Sequence, residues 1–278
     1  MNRYACEYRI GGIMNFEVFP SHIKKKIDNK PYTYDKLGES DSTVILFDDM
    51  VLKIEKTSCQ SDREYHILNW LDKKLPVPKI ICFERKDGFN YLLMTKLNGS
   101  MACDNIDIEK LDSIVESLAD GLKQLWCIDI TNCEFDSTLD VKLKKAKYNI
   151  DHNLVDCNDF EEGTLGPDGF KDIDALYSFL MKNKPEEDLV FSHGDYCLPN
   201  VFINDKSAVG FLDLGKAGVA DRWADIALCV RSLKYNICDL FNLPYNHYLS
   251  LKQKLYDLLE IKENEEKLRY YILLDELF

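Results

Sequence analysis

Ser192-His193-Gly194-Asp195-Tyr196-Cys197-Leu198-Pro199-Asn200, followed by Gly210-Phe211-Leu212-Asp213-Leu214-Gly215, are the two segments from which the rest of the chain is read. Their pattern is H-x-D, an Asn five residues after the Asp, and an Asp-x-Gly just after the next short β-like run. Phosphoryl transfer needs these residue types. One carboxylate orients the attacking hydroxyl and accepts its proton, while an amide oxygen and a second carboxylate hold Mg²⁺ on the phosphates. Magnesium takes hard oxygen ligands and keeps waters, so few protein ligands are expected. Taken singly, Asp195 reads as a cap or turn residue, Asn200 as a turn residue after Pro199, and Asp213 as a strand end before a permissive Gly. The three in order, at this spacing, point to chemistry.

The same logic underlies the protein-kinase signature H-R-D-x-x-x-x-N with a following D-F-G. Here Gly194 stands for the Arg and Leu214 for the Phe. The amino-terminal half offers an independent check, because a kinase-type site also needs a strand Lys for the phosphates and a helix Glu to position it. Working outward, Thr43–Phe47, Asp48-Asp49 and Met50–Ile54 read as a tight hairpin, with Tyr32 to Leu37 pairing upstream through Gly38-Glu39-Ser40-Asp41. Ser61-Asp62-Arg63-Glu64 reads as a capping box opening a helix whose stripe is Ile67, Leu68, Leu71 and Leu75, with Pro76 and Pro78 as the stop. A second hairpin turns at Asp87-Gly88. Lys53 therefore falls on the third predicted strand and Glu64 in the first turn of the next helix. The turn at Gly38–Ser42 has one Gly where protein kinases have three, and its backbone N–H groups and the Ser40 hydroxyl suit a phosphate.

Beyond Thr95–Gly99, which reads as a linker, the pattern becomes helical. Leu111, Ile114, Val115, Leu118, Leu122 and Leu125 form one apolar face, and further helices are expected over about 138–153, 170–183, 222–235, 245–260 and 264–277. Three β-like runs, 189–191, 201–203 and 209–212, interrupt them and enclose the quoted motifs.

Composition bounds the rest. The 278 residues are 46% hydrophobic and 30% charged, values of an ordinary globular chain. Acidic residues number 48 against 35 basic ones, a formal charge of −13, which argues against nucleic acid and accommodates a cationic ligand. No apolar run reaches membrane-spanning length and the first residues lack a signal-peptide pattern, so no membrane partner and a cytoplasmic protein are expected. The ten scattered cysteines form no CxxC pair and no zinc spacing, so free, mostly buried thiols are expected. The assembly expected is a monomer or weak dimer.

Three longer segments resemble one family: PVPKIICFERKDGFNYLLM (76–94), FSHGDYCLPNVFINDKSAVGFLDLGKAGVADRWADIA (191–227) and YYILLDELF (270–278). In them the chain resembles the aminoglycoside 3′-phosphotransferases, the kanamycin kinases, from about residue 35 to its end. The resemblance implies an α+β, protein-kinase-like two-lobe fold, with an antiparallel β lobe carrying one helix (1–97) and a larger, mainly helical lobe (98–278), ATP lying between them. It implies transfer of the ATP γ-phosphate to a ring hydroxyl of kanamycin- or neomycin-class antibiotics. By position it makes Asp195 catalytic and Asn200 and Asp213 the Mg²⁺ ligands. Lys53 becomes the phosphate Lys, Glu64 its partner and Ser40 a residue over the phosphates, with Thr95 and Leu97 meeting adenine through backbone atoms. Val51 stands where some members place an aromatic, so GTP is compatible beside ATP. Lys216 stands where Arg is familiar, exchanging a planar fork for a point charge.

Aminoglycosides are polyammonium ions, so their site should gather several carboxylates, each pair being weak when exposed. Two acidic stretches qualify. One is Asp156-Cys157-Asn158-Asp159-Phe160-Glu161-Glu162, where Asp159, Glu161 and Glu162 are the candidates. The other is the terminus, where Asp275, Glu276 and the main-chain carboxylate of Phe278 converge in sequence. Read alone, the former is a solvated acidic loop and the latter a fraying helix end. The alternative is another small-molecule kinase of the same fold, acting on choline, a sugar, homoserine or a macrolide. Choline would call for an aromatic cage, which the sequence does not cluster. A protein kinase would carry an A-P-E segment after Asp213, and a pseudokinase would have lost at least one of Lys53, Asp195, Asn200 and Asp213; neither holds.

Overall fold

A computed structural model describes residues 9–10, 13–14, 18–34, 42–104, 108–204 and 207–278. In chain order it contains β1 (Arg9–Ile10), β2 (Ile13–Met14), α1 (Ser21–Ile27), β3 (Thr33–Tyr34), β4 (Thr43–Leu46), β5 (Met50–Lys56) and α2 (Cys59–Leu71). Then come β6 (Ile80–Lys86), β7 (Phe89–Thr95), β8 (Ser100–Met101), α3 (Leu111–Trp126), α4 (Leu139–Asp151) and α5 (Ile173–Lys182). The remainder is β9 (Leu189–Ser192), β10 (Val201–Asn204), β11 (Ser207–Phe211), β12 (Gly218–Asp221), α6 (Arg222–Lys234), α7 (Tyr245–Leu259) and α8 (Glu265–Asp275). Of the described residues, those of Met1–Asn98 with Gly210–Gly215 form one compact unit, and those of Gly99–Val209 with Lys216–Phe278 form another. The segment Gly210–Gly215, which holds Asp213, clusters with the amino-terminal unit, whereas the resemblance implies a second lobe over 98–278.

The first unit is built on a five-stranded antiparallel sheet in the order β3-β4-β5-β7-β6. Strand β5 shows why. Met50, Leu52 and Ile54 alternate into the core, leaving Val51, Lys53 and Glu55 on the opposite face. The core face packs with Phe19, Ile23 and Ile27 of the segment that includes α1, a helix the sequence did not announce. The β6–β7 turn uses Asp87 and Gly88, both at positive φ (51° and 80°), as a two-residue hairpin requires.

Helix α2 begins three residues before its expected start. Ser58 is the cap: its hydroxyl accepts the Ser61 N–H at 3.1 Å, and Ser61 Oγ accepts the Ser58 N–H at 2.9 Å. The box is a Ser–Ser pair one turn earlier than the Ser61–Glu64 pair read from sequence. Glu64 is thereby moved into the second turn and released from capping. The helix also ends at Leu71, before Pro76 and Pro78 could stop it.

In the second unit, α3 buries Leu111, Ile114, Val115, Leu118, Leu122 and Leu125, the predicted face. β9 pairs antiparallel with β12, a strand that follows the three β-like runs and was not anticipated. Of the described thiols, Cys229 is buried, Cys82, Cys103, Cys133, Cys197 and Cys238 are half-buried, and Cys59, Cys127 and Cys157 are exposed, so burial is less general than expected. No described helix is long and apolar enough to cross a membrane.

Candidate active site

Lys53 is the hub of the first unit. Its Nζ stands 2.9 Å from Glu64 Oε2, 2.6 Å from Asp213 Oδ1 and 2.9 Å from Glu55 Oε1. Strand β5 supplies Lys53 and Glu55 at i and i+2, and so on one face. Helix α2 supplies Glu64, which is 4% exposed and so cannot be a solvated capping side chain. Burial works against the Lys53 charge, but Glu64, Asp213 and Glu55 outweigh it and hold the ammonium well above the ordinary lysine range. Burial pushes the Glu64 carboxyl up, with Lys53 opposing. Asp213 occupies a left-handed conformation, φ 52°, tolerable for Asp. Close packing follows it: a Cβ on Gly215 would stand 3.1 Å from Gln60 of α2. Ser40 lies outside the described residues. The Thr95 N–H is already donated to the Lys79 carbonyl at 2.9 Å, so any backbone contact of Thr95 with a base falls to its carbonyl.

The second unit holds the H-x-D loop between β9 and the short turn Leu198–Asn200. Asp225, in the first turn of α6 and fully buried, accepts the N–H of His193 at 2.7 Å and of Gly194 at 2.9 Å. Burial raises the Asp225 carboxyl, and His193 with the two N–H bonds pulls it back. The Asp195 N–H donates to His193 Nδ1 at 3.3 Å. Asn200 donates its amide N–H to the Asp195 carbonyl at 3.0 Å, which leaves its side-chain oxygen as the ligand-type atom. The Tyr196 hydroxyl donates to the Leu118 carbonyl at 2.7 Å and Leu198 N–H to Ser232 Oγ at 3.0 Å, so α3 and α6 clamp the loop from both ends. Gly194 has φ +81°, and a Cβ there would meet the Lys216 carbonyl oxygen at 2.3 Å. That is why the kinase-type Arg is absent here.

The carboxylates of the acidic loop and of the terminus meet within the second unit. The Glu161 N–H donates to Glu276 Oε1 at 3.1 Å. Arg231 of α6 ion-pairs with Asp275, and its Nε lies 3.9 Å from Glu161 Oε1. Glu161 and Glu162 are exposed, while nothing is described of the Asp159 side chain. The chain end does not fray. Leu277 is fully buried, its carbonyl accepts from Asn149 Nδ2 at 2.9 Å, and Lys145 Nζ stands 5.5 Å from the Phe278 ring centre.

Four residues escaped the sequence reading: Asp225, Arg231, Glu55 and Lys142. Asp225 had a faint signal, an acid in the first turn of a predicted helix, which reads as a dipole partner. Lys142 of α4 is half-buried, and burial lowers its pKa against the charges of Asp225, Asp275 and Asp195. No sequence spacing connects residue 142 to them.

A family model described as "Phosphotransferase enzyme family" matches residues 34–260. An aminoglycoside 3′-phosphotransferase of Enterococcus faecalis is 40% identical over 248 residues, 88% of each chain. The crystal structure of an aminoglycoside-3′-phosphotransferase of type VIII superposes with a TM-score of 0.77 at 25% identity, covering 92% of this chain and 97% of its own. An aminoglycoside phosphotransferase of Streptomyces rimosus, solved with ADP and streptomycin, shares the fold at a TM-score of 0.77 and 19% identity, over 92% of this chain and 95% of its own.

Proposed function

This chain belongs to the aminoglycoside 3′-phosphotransferases within the phosphotransferase enzyme family, and from that membership we propose that it moves the ATP γ-phosphoryl group to the 3′-hydroxyl of kanamycin- and neomycin-class aminoglycosides, inactivating them. The observation that carries the reading is the ion cluster in which a strand lysine, Lys53, is held by a buried helix glutamate, Glu64, and by Asp213 of the Asp-x-Gly motif. A surface lysine has no need of a buried partner, whereas a phosphate-binding one must be aimed.

Asp195 orients the drug hydroxyl and takes its proton as the new O–P bond forms and the bond to ADP breaks, in line and without a covalent enzyme intermediate. Asp225 holds the backbone on which Asp195 is carried. Lys53 receives the nucleotide phosphates. Asn200 and Asp213 present oxygen ligands of the type Mg²⁺ prefers, and both fit: the Asn200 amide nitrogen is committed to Asp195, and the Asp213 side chain is 52% exposed. Mg²⁺ held by oxygens of this type would supply charge neutralisation on the phosphates. Thr95 and Leu97 meet the adenine. Glu161, Glu162, Asp275 and Glu276 receive the drug's ammonium groups, with Asp159 on the same loop and Phe278 two residues beyond Glu276.

An ADP-release assay across kanamycin, neomycin, gentamicin and choline tests this. Kanamycin carries the 3′-hydroxyl and gentamicin lacks it, so turnover of the former alone is expected, and Asp195→Ala should abolish it while sparing ATP binding. Equal turnover of gentamicin, or near-wild-type turnover in the Ala variant, would refute the assignment.

A further inference from the structure

Three carboxylates surround the Lys53 ammonium, and two of them have work to do: Glu64 aims the lysine and Asp213 bears the ligand oxygen. Glu55 has none. It is presented by β5 on the Lys53 face, 25% of its side chain is exposed, and its Oε1 lies 2.9 Å from Nζ. Orientation does not require it, because Glu64 already grips Nζ at 2.9 Å from a nearly closed position. A third anion at this point meets the same cation that the nucleotide phosphates seek, and it repels them as they approach.

We propose that Glu55 is an anionic competitor for Lys53 that holds the ammonium in the unliganded protein and sets the affinity for phosphorylated nucleotides. This rests on the reading of Lys53 as the phosphate lysine. Phosphates entering the site displace Glu55, 25% of whose side chain is exposed. Glu64 and Asp213 stay in place. The penalty grows with the number of phosphates and shrinks with salt, whereas a structural role for Glu55 would show neither dependence.

Titration calorimetry of wild type, Glu55→Gln, Glu55→Ala and Lys53→Ala with adenosine, ADP and ATP, at low and high salt, tests it. Both Glu55 variants should bind ADP about three- to tenfold tighter than wild type, ATP more so, and adenosine equally, with the gain diminished at high salt. Unchanged or weakened ADP binding in both variants, or an equal shift for adenosine, would overturn the proposal. Should wild type fail to bind ADP, or Lys53→Ala bind it as well as wild type does, the reading of Lys53 itself fails. Melting curves of each variant separate altered affinity from altered folding.

Discussion

Replacing Gly194 by Ala adds one methyl group, and the structure says where it goes. The new Cβ would lie 2.3 Å from the Lys216 carbonyl oxygen, where ordinary contact begins near 3.4 Å. That carbonyl cannot retreat freely, because it accepts a hydrogen bond from Ser137 Oγ at 3.2 Å. Nor can the glycine backbone easily relax: its φ of +81° costs an L residue about 1–2 kcal/mol, and its own N–H and that of His193 are pinned by Asp225. Relief therefore requires the loop to shift by about 1 Å, and a displacement of that size at a reacting group costs on the order of 100-fold in rate. Gly194→Ala should lose about 100-fold in kcat, with a melting temperature several degrees lower and ADP affinity unchanged, since Lys53 belongs to the other unit. Gly194→Arg, which would restore the H-R-D triplet of the protein-kinase signature, should be worse still. Steady-state kinetics with kanamycin, alongside calorimetry with ADP, reads both quantities. A Gly194→Ala enzyme within a few-fold of wild-type kcat would refute the argument that this glycine exists to let the loop pass the Lys216 carbonyl.

Asp225→Asn keeps the shape but turns one acceptor into a donor facing a backbone N–H, so about 2–4 kcal/mol of stability should be lost, together with kcat; a denaturation midpoint equal to wild type would count against the clamp. Asp275→Asn removes a carboxylate and leaves the Arg231 charge with only the more distant Glu161 against it in the region proposed for a polycation, so the kanamycin KM should rise about tenfold at an unchanged ATP KM; a shift confined to ATP would remove Asp275 from the drug's surroundings. Glu84 gives a pH prediction. Burial alone would raise its carboxyl, but the His22 ring and the N–H groups of His22 and Ile23, bonded at 2.8–3.0 Å, outweigh this and hold it below the ordinary range. The folded pKa is thus depressed, so its stabilisation is complete above the unfolded value of about 4.3 and vanishes as pH falls through the folded one. Glu84→Gln should lower the melting temperature at pH 7 and flatten its fall below pH 4.3; an acid limb as steep as that of wild type would exclude Glu84 as its source.

Local order was legible wherever it depends on periodicity or on residues close in sequence. The apolar stripe of α3, the two hairpins of the first unit and the helices over 139–151, 173–182, 222–234, 245–259 and 265–275 needed only that. The capping of α2 was misread by one turn because two serines and a glutamate compete for the same role, and only the burial of Glu64 decides between them. Helix α1 was missed for a related reason. Its N-cap, Pro20, makes no side-chain hydrogen bond, and N–H groups of its first turn are met from β6 by Glu84, more than sixty residues away.

By itself the sequence determined the chemistry, because H-x-D, Asn200 and Asp213-Leu214-Gly215 are bound to one another by short spacings that a turn and a hairpin must satisfy. What it could not determine is which charges face which. That Lys53 meets Asp213 across 160 residues, that Asp225 carries the Asp195 loop, and that Arg231 stands among Asp275 and Glu161 are facts of packing. Ionic and buried polar contacts depend on distances of a few ångströms between chain-distant groups, and only the tertiary structure sets those.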